Sequence, residues 1–355
     1  MKYKRLLIGV IICFILIIAL TNCKSRSPEH PQSREPQILK GQKIELSETL
    51  SAIDLEIIDS MLIMLCYGDQ YKFHVYNKNT LEFIGKFGQE GRGPSEYMLP
   101  HIMSQKLKIN DSAYLVIHDI TLRRINFVNI LKAINNVNYY PKSIYSRDRM
   151  LSQLSLIPSA VLSTDSLFVG ISTDNRNIEG RFFCYNIIND KMSWEPFYPI
   201  PNKTPHESHI GEIYTSFLAL RPDGKDIAAV ALYFERIDVL DYKGKLKRSV
   251  IMENQDIQDL SHPSAPPKGS HQYFYSVSVS QDFIYALNID AVVGSPEILD
   301  TAILVKVTWD EIGKTPETYK ITPKVLKIEV DEESNRIFGL KLFSSSIYVY
   351  NMENQ

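Results

Sequence analysis

Three observations in the sequence predict an all-β ring of small sheets. Apolar runs of strand length alternate with turn residues throughout, and long amphipathic helices are scarce. Runs of one kind recur about every 50 to 60 residues, the repeat expected of four-stranded blades with their loops. The sixth repeat has no segment left for an outer strand, whereas Gln42–Leu46 reads as a strand with no repeat of its own. Pairing these two leftovers closes a circle and removes exposed sheet edges. The expected fold is therefore a six-bladed β-propeller over residues 41–355, with the N-terminal strand completing the last blade.

The leading residues read as an address. Lys2, Lys4 and Arg5 precede an apolar run from Leu6 to Leu20, the charged and apolar regions of a secretory signal that is short for a membrane span. The run ends Leu20-Thr21-Asn22-Cys23, which resembles a bacterial lipobox. That resemblance implies a signal peptide at residues 1–22, cleavage before Cys23, and lipidation of Cys23. Asn22 departs from the small residue normal before the cut, which leaves an uncleaved anchor helix as the alternative. Either way the basic residues stay in the cytoplasm and the rest lies outside the inner membrane. The expected location is the cell envelope, facing the periplasm from either membrane. Residues 23–40, rich in Ser, Pro, Gln and charge, read as a flexible tether.

Six equivalent runs then follow: Met61–Tyr67, Ala113–His118, Leu167–Ser172, Asp226–Leu232, Phe283–Asn288 and Arg336–Leu342. Each is succeeded by a second strand, at Lys72–Tyr76, Leu122–Phe127, Arg181–Asn186, Arg236–Asp241, Ala302–Thr308 and Ser346–Tyr350. Third strands are predicted at Leu81–Phe87, Lys142–Tyr145, Met192–Tyr198, Lys245–Met252 and Glu317–Ile321. Asp223-Gly224 and Lys243-Gly244 supply the φ > 0 geometry of tight hairpins between such strands. The polar stretches Ser146–Pro158, Pro199–Ile213 and Asn254–His271 read as long loops.

Between the first and second repeats the strand Leu81–Phe87 runs into Gly88, Gly91 and Gly93, then Pro94, Glu96 and Tyr97. Three glycines and a proline describe a tight corner between sheets. A phosphate loop is excluded, since neither a lysine nor a helix start follows in the required place. This run resembles the G-x-x-G-x-G-P-G-E-F corner of the TolB-like six-bladed β-propeller lipoproteins of Bacteroides-type bacteria. Gly88, Gly91, Gly93, Pro94 and Glu96 match, Tyr97 replaces the aromatic conservatively, and Ser95 stands where that family has glycine. Arg221-Pro222-Asp223-Gly224-Lys225 similarly resembles a turn of TolB-type repeats. The resemblance implies a propeller and an envelope address, and no particular ligand.

Composition narrows the function classes. The 355 residues, 44% hydrophobic, suffice for one large β domain, and a net charge of −2 excludes a broad basic face for nucleic acid. Besides Cys13 and Cys23 the chain has only Cys66 and Cys184, far apart and in apolar runs, so two thiols rather than a disulfide are expected. His206 and His209, with Glu207 between them, lack the four-residue spacing of a helical zinc motif and sit in a proline-bounded loop. No G-x-S-x-G elbow is present. Trp194, Phe197, Tyr198 and Tyr214, flanking one long loop, are the candidate binding residues, with inter-blade packing as the competing explanation.

The reading is a lipid-anchored envelope protein whose propeller binds or scaffolds a protein, peptide or glycan, without a catalytic constellation and without a resident cofactor. The alternative is a lactonase-like hydrolase or lyase holding a divalent cation on the axis, with Glu96, Asp119, Asp174, Asn175 and Asp290 as candidate ligands. Acidic residues at strand ends are also ordinary turn formers.

Overall fold

The computed structural model describes residues 35–49, 51–109, 112–136, 138–145, 160–171, 180–195, 214–252, 269, 271–293, 300–310 and 315–352. These residues form six sheets in sequence order, each an antiparallel meander running from an innermost strand outward. Blade 1 comprises Ala52–Ile58, Met61–Cys66, Tyr71–Asn77 and Phe83–Glu90. Blade 2 has a broken inner strand, Pro100–Ile102 and Leu107–Ile109, followed by Ser112–Asp119, Arg124–Asn129 and Lys142–Tyr145. Blade 3 is Ala160–Leu162, Leu167–Ile171, Phe182–Asn186 and Lys191–Glu195; blade 4 is Ser216–Leu220, Asp226–Ala231, Arg236–Asp241 and Leu246–Ile251. Blade 5 contains His271–Val279, Phe283–Val292, Ala302–Thr308 and Glu317–Thr322, and blade 6 contains Lys327–Asp331, Arg336–Leu340 and Ser346–Asn351.

Gln42–Glu45 supplies the fourth strand of blade 6, antiparallel to Ser346–Asn351 with Ile44 opposite Ile347. The expected closure is therefore what the chain does. The closure is also longer than expected, because Gln37–Lys40 adds to the outside of blade 5, parallel to Glu317–Thr322. The last four residues of the stretch read as tether are thus a strand. Leu39, almost fully buried, joins the apolar cluster between blades 5 and 6, while its neighbour Ile38 is exposed, and one adjacent apolar pair among polar residues carries no periodic signal. Gly41 makes the crossing between the two blades: its N–H donates to the Thr322 carbonyl (2.8 Å), and a Cβ there would lie 2.5 Å from the Tyr350 ring. One short N-terminal segment therefore stitches two neighbouring blades.

The hydrophobic core is divided into six clusters, one in each space between adjacent blades. In strands covered on both faces every position is buried, as in Met61–Cys66 and Asp226–Ala231, and all of these positions but Asp226 are apolar, which explains why these second strands were the most legible. Where blade 6 meets blade 1 the apolar contact is reinforced by Lys78, whose ammonium lies 2.9 Å from Asp331 and 3.1 Å from Glu333. Cys66 is buried in that cluster and Cys184 half-buried in the one between blades 3 and 4; both are free thiols.

The axial cleft as candidate functional site

The innermost strands, which repeat counting did not pick out, carry the polar chemistry. They surround the ring axis, and residues of all six blades line a single cavity of about 80 Å³. Blade 1 contributes Asp54, blade 2 His101 and His118, blade 4 Phe217, blade 5 Ser276, and blade 6 Lys327 and Glu329. A smaller recess of about 10 Å³ adjoins it, lined by Glu56, Ser104, Lys106, Ser278 and again Glu329. Ser104 and Glu329 belong to both linings, so mouth and recess share a wall.

Strand geometry accounts for two tiers. Successive side chains alternate faces, so residues two apart lie together. Asp54 and Glu56, Ser276 and Ser278, and Lys327 and Glu329 are three such pairs on three neighbouring inner strands. In the outer tier the Lys327 ammonium lies 3.5 Å from Asp54 and 5.7 Å from the centre of the Phe217 ring, both side chains of the ion pair remaining about a quarter exposed (24% and 22%). In the inner tier Glu56 is 2% and Glu329 4% exposed. Ser278 accepts the Val330 N–H (3.0 Å) and donates its hydroxyl to Glu329 (3.0 Å), while Ser276 accepts the Ile328 N–H (3.2 Å). These serines join blade 5 to blade 6 and hold the Glu329 carboxylate in place.

Burial governs the charge states. The Glu56 carboxyl is pushed well above the usual carboxylate range, first by burial and then by the facing Glu329. Glu329 is pushed up to about 7 by burial, with Lys106 and the Ser278 hydroxyl acting against the shift. Glu56 Oε2 has no hydrogen-bond partner. An acceptor so placed costs about 1–3 kcal/mol relative to a satisfied one, which marks the recess as a position that a hydrogen-bond donor would complete. On blade 2, burial and the neighbouring His101 lower His118 to about 4, so its imidazole is neutral at physiological pH.

The residues singled out by sequence lie elsewhere. Gly88 closes against the rings of Phe73 and Tyr97, where a Cβ would sit 2.9 Å from each, at a φ of +75° that disfavours a side chain. The Glu96 carboxylate fills the space beside Gly91 and Gly93 and accepts the Gly93 N–H (2.6 Å). Pro94 lies in the same turn, the Ser95 hydroxyl donates to the Tyr139 carbonyl (2.5 Å), and the Arg124 guanidinium donates to the Glu96 carbonyl. Tyr97 is buried between the aromatic Phe73 and Arg124, and burial raises its phenol strongly. This corner is a fastening between blades 1 and 2.

Of the four candidate aromatic residues, Tyr214 and Trp194 are described, and both pack inward. Tyr214 is 1% exposed and stacks on Phe234 (5.7 Å, 19°), because it turns into the blade instead of out with the loop. Trp194 is half-buried against Phe183 (5.6 Å) between blades 2 and 3. Phe197, Tyr198, His206 and His209 lie outside the described residues, as do Cys23, Asp174 and Asn175. Among the described residues, the proposed ligands Glu96, Asp119 and Asp290 do not converge. Asp119 accepts the N–H groups of Met98 (2.7 Å) and Leu122 (2.8 Å), and Asp290 pairs with His271 (2.8 Å). Of the axial acids, Asp54 is matched by Lys327, which leaves the recess with two carboxyl groups, Glu56 and Glu329. Among the described residues no group of three or more His, Cys, Asp or Glu is arranged to hold a metal.

No protein-family model matches this sequence, and no curated protein does. Solved structures do resemble it. A member of the DUF4221 family from Bacteroides vulgatus superposes with a TM-score of 0.60 at 10% identity, over 90% of this chain and 98% of the other. A putative exported protein from Bacteroides fragilis superposes with a TM-score of 0.54 at 12% identity, covering 91% of this chain and 97% of its own. At such identities the shared property is the fold. The axial residues were missed in the sequence because D-x-E at 54–56 and K-x-E at 327–329 read as the polar face of ordinary alternating strands. Charged residues two apart inside such runs were the available signal.

Proposed function

We propose that this protein is a lipid-anchored, TolB-like binding protein of the cell envelope, with the propeller holding a protein, peptide or glycan partner at the axial cleft. The observation that carries the reading is the meeting of polar side chains from separate blades around one small cavity on the ring axis. Small recessed sites with a few convergent polar groups favour recognition of one protruding group of a partner. The envelope address rests on the lipobox-like Leu20-Thr21-Asn22-Cys23 and finds support in the exported Bacteroides fragilis protein of like fold. In this reading Cys23 carries the lipid, and the propeller faces the periplasm.

Peptide and glycan arrays probed with the purified protein test the binding role. The expected result is a set of ligands retained by the unmodified chain and lost in Lys327→Met, which removes the charge at the mouth. Ligands indifferent to that change, or chelator-sensitive turnover of a lactone or glycan, would overturn it. For the anchor, radiolabelled palmitate is expected to enter the wild type and not Cys23→Ala.

A further inference from the structure

The inner tier is chemically distinct from the mouth. It holds two carboxyl groups, both nearly fully buried, and one of their oxygens, Glu56 Oε2, has no hydrogen-bond partner. The remaining polar groups there include the Ser104 and Ser278 side chains and the Lys106 ammonium. The recess of about 10 Å³ admits one group the size of a water molecule. What fits must donate hydrogen bonds and be no larger than water at its tip.

We propose that the recess is a receptor for a primary alkylammonium group, its N–H bonds donated to Glu56 and Glu329 while its alkyl stem occupies the mouth. This deepens the binding role above and rests on it. A guanidinium is too broad for the recess, and a quaternary ammonium has no proton to donate. A bare divalent ion lacks a third ligand, as the axial acids already showed. The alkyl stem passes Phe217 and Ile328, apolar surfaces of the wider cavity.

Charge balance makes the binding an exchange. At the mouth, Asp54 and Lys327 cancel, and His118 stays neutral; His101 is the other titratable group facing that space. In the recess Lys106 balances one carboxylate, so Glu56 and Glu329 together with one proton are neutral. An entering ammonium replaces that proton, which leaves to solvent, and the total charge is unchanged. The burial that holds a proton on the pair near neutral pH supports this account. Affinity for the ammonium therefore falls as pH drops, by about tenfold per pH unit below about 7 for one exchanged proton. Two sources share this chemistry, a lysine side chain of a partner protein and a free aliphatic amine.

The test is calorimetric titration of the full-length, detergent-solubilised protein with n-butylammonium, with a blocked Gly-Lys-Gly peptide, and with tetramethylammonium. The expected result is one n-butylammonium or lysine peptide bound per chain at pH 8, with about one proton released at pH 6 as read from two buffers of different ionisation enthalpy. Weakening by about a hundredfold at pH 5 is expected, together with loss of binding in Glu56→Gln and Glu329→Gln. Tighter binding of the peptide assigns the ammonium to a protein partner, and tighter binding of n-butylammonium to a free amine. No binding of either probe, equal binding of tetramethylammonium, or binding unaffected by both substitutions would overturn the proposal. Should a substituted chain fail to fold, the pH profile and proton release of the unmodified chain decide the matter. An array ligand sensitive to Lys327→Met but indifferent to Glu56→Gln and Glu329→Gln would remove the ammonium and leave the binding role standing.

Discussion

The corner at Gly88–Tyr97 and the axial cleft both bury polar side chains, and they do so in opposite ways. In the corner the Glu96 carboxylate accepts a backbone N–H, the Ser95 hydroxyl finds a carbonyl, and Arg124 reaches the Glu96 carbonyl. Its glycines are required because other side chains occupy the space a Cβ would need. On the axis, Glu56 and Glu329 face each other under burial, and one oxygen lacks a donor. Satisfied buried polarity adds to the net stability of a fold, whereas an unsatisfied group detracts from it. The corner fastens blades together, whereas the cleft leaves a buried acceptor without a donor.

The difference is sharpest at Gly88. Gly88→Ala places a Cβ against two aromatic rings at a left-handed φ and is expected to destabilise by about 3 kcal/mol, combining backbone strain with overpacking. A lower denaturant midpoint at unchanged slope checks it, and a change under about 1 kcal/mol would show the corner to be adaptable.

On the axis the sign reverses. The folded-state pKa of Glu329 lies above its unfolded value, so the native protein binds the extra proton between about 4.5 and about 7. Stability from this group is therefore full at low pH and lost as pH rises through that window. Glu329→Gln is expected to match the wild type near pH 4.5 and to exceed it at pH 8 by on the order of 2 kcal/mol. Thermal unfolding at the two pH values measures this, and a variant less stable at pH 8 would place the carboxylate among the structural groups. Comparison at matched pH is essential, because His118, with its folded pKa lowered to about 4, acts in the opposite sense: its contribution is lost as pH falls toward that value.

The smallest effect returns to the corner. Ser95→Ala removes the hydrogen bond to the Tyr139 carbonyl and is expected to cost about 1 kcal/mol, the net value of one such bond. A neutral result would mean that the Ser95 hydroxyl is dispensable, with water serving the freed carbonyl.

Periodicity and turn chemistry are local properties of a chain, and they sufficed for much of this molecule. The count of six repeats, the second and third strands of each blade, the hairpin at Asp223-Gly224 and the pairing of Gln42–Glu45 with Ser346–Asn351 were all legible from residue order alone. Tertiary structure decided the rest. Leu39 became part of a strand because a cluster between two blades was there to receive it, and Tyr214 turned inward onto Phe234. Asp54, Glu56, Lys327 and Glu329 acquired a common site because a ring brings its first and last repeats side by side. Local sequence carries the alternation that makes each strand, but nothing local records which charged residues, one pair in the first blade and one in the last, will lie side by side at the axis.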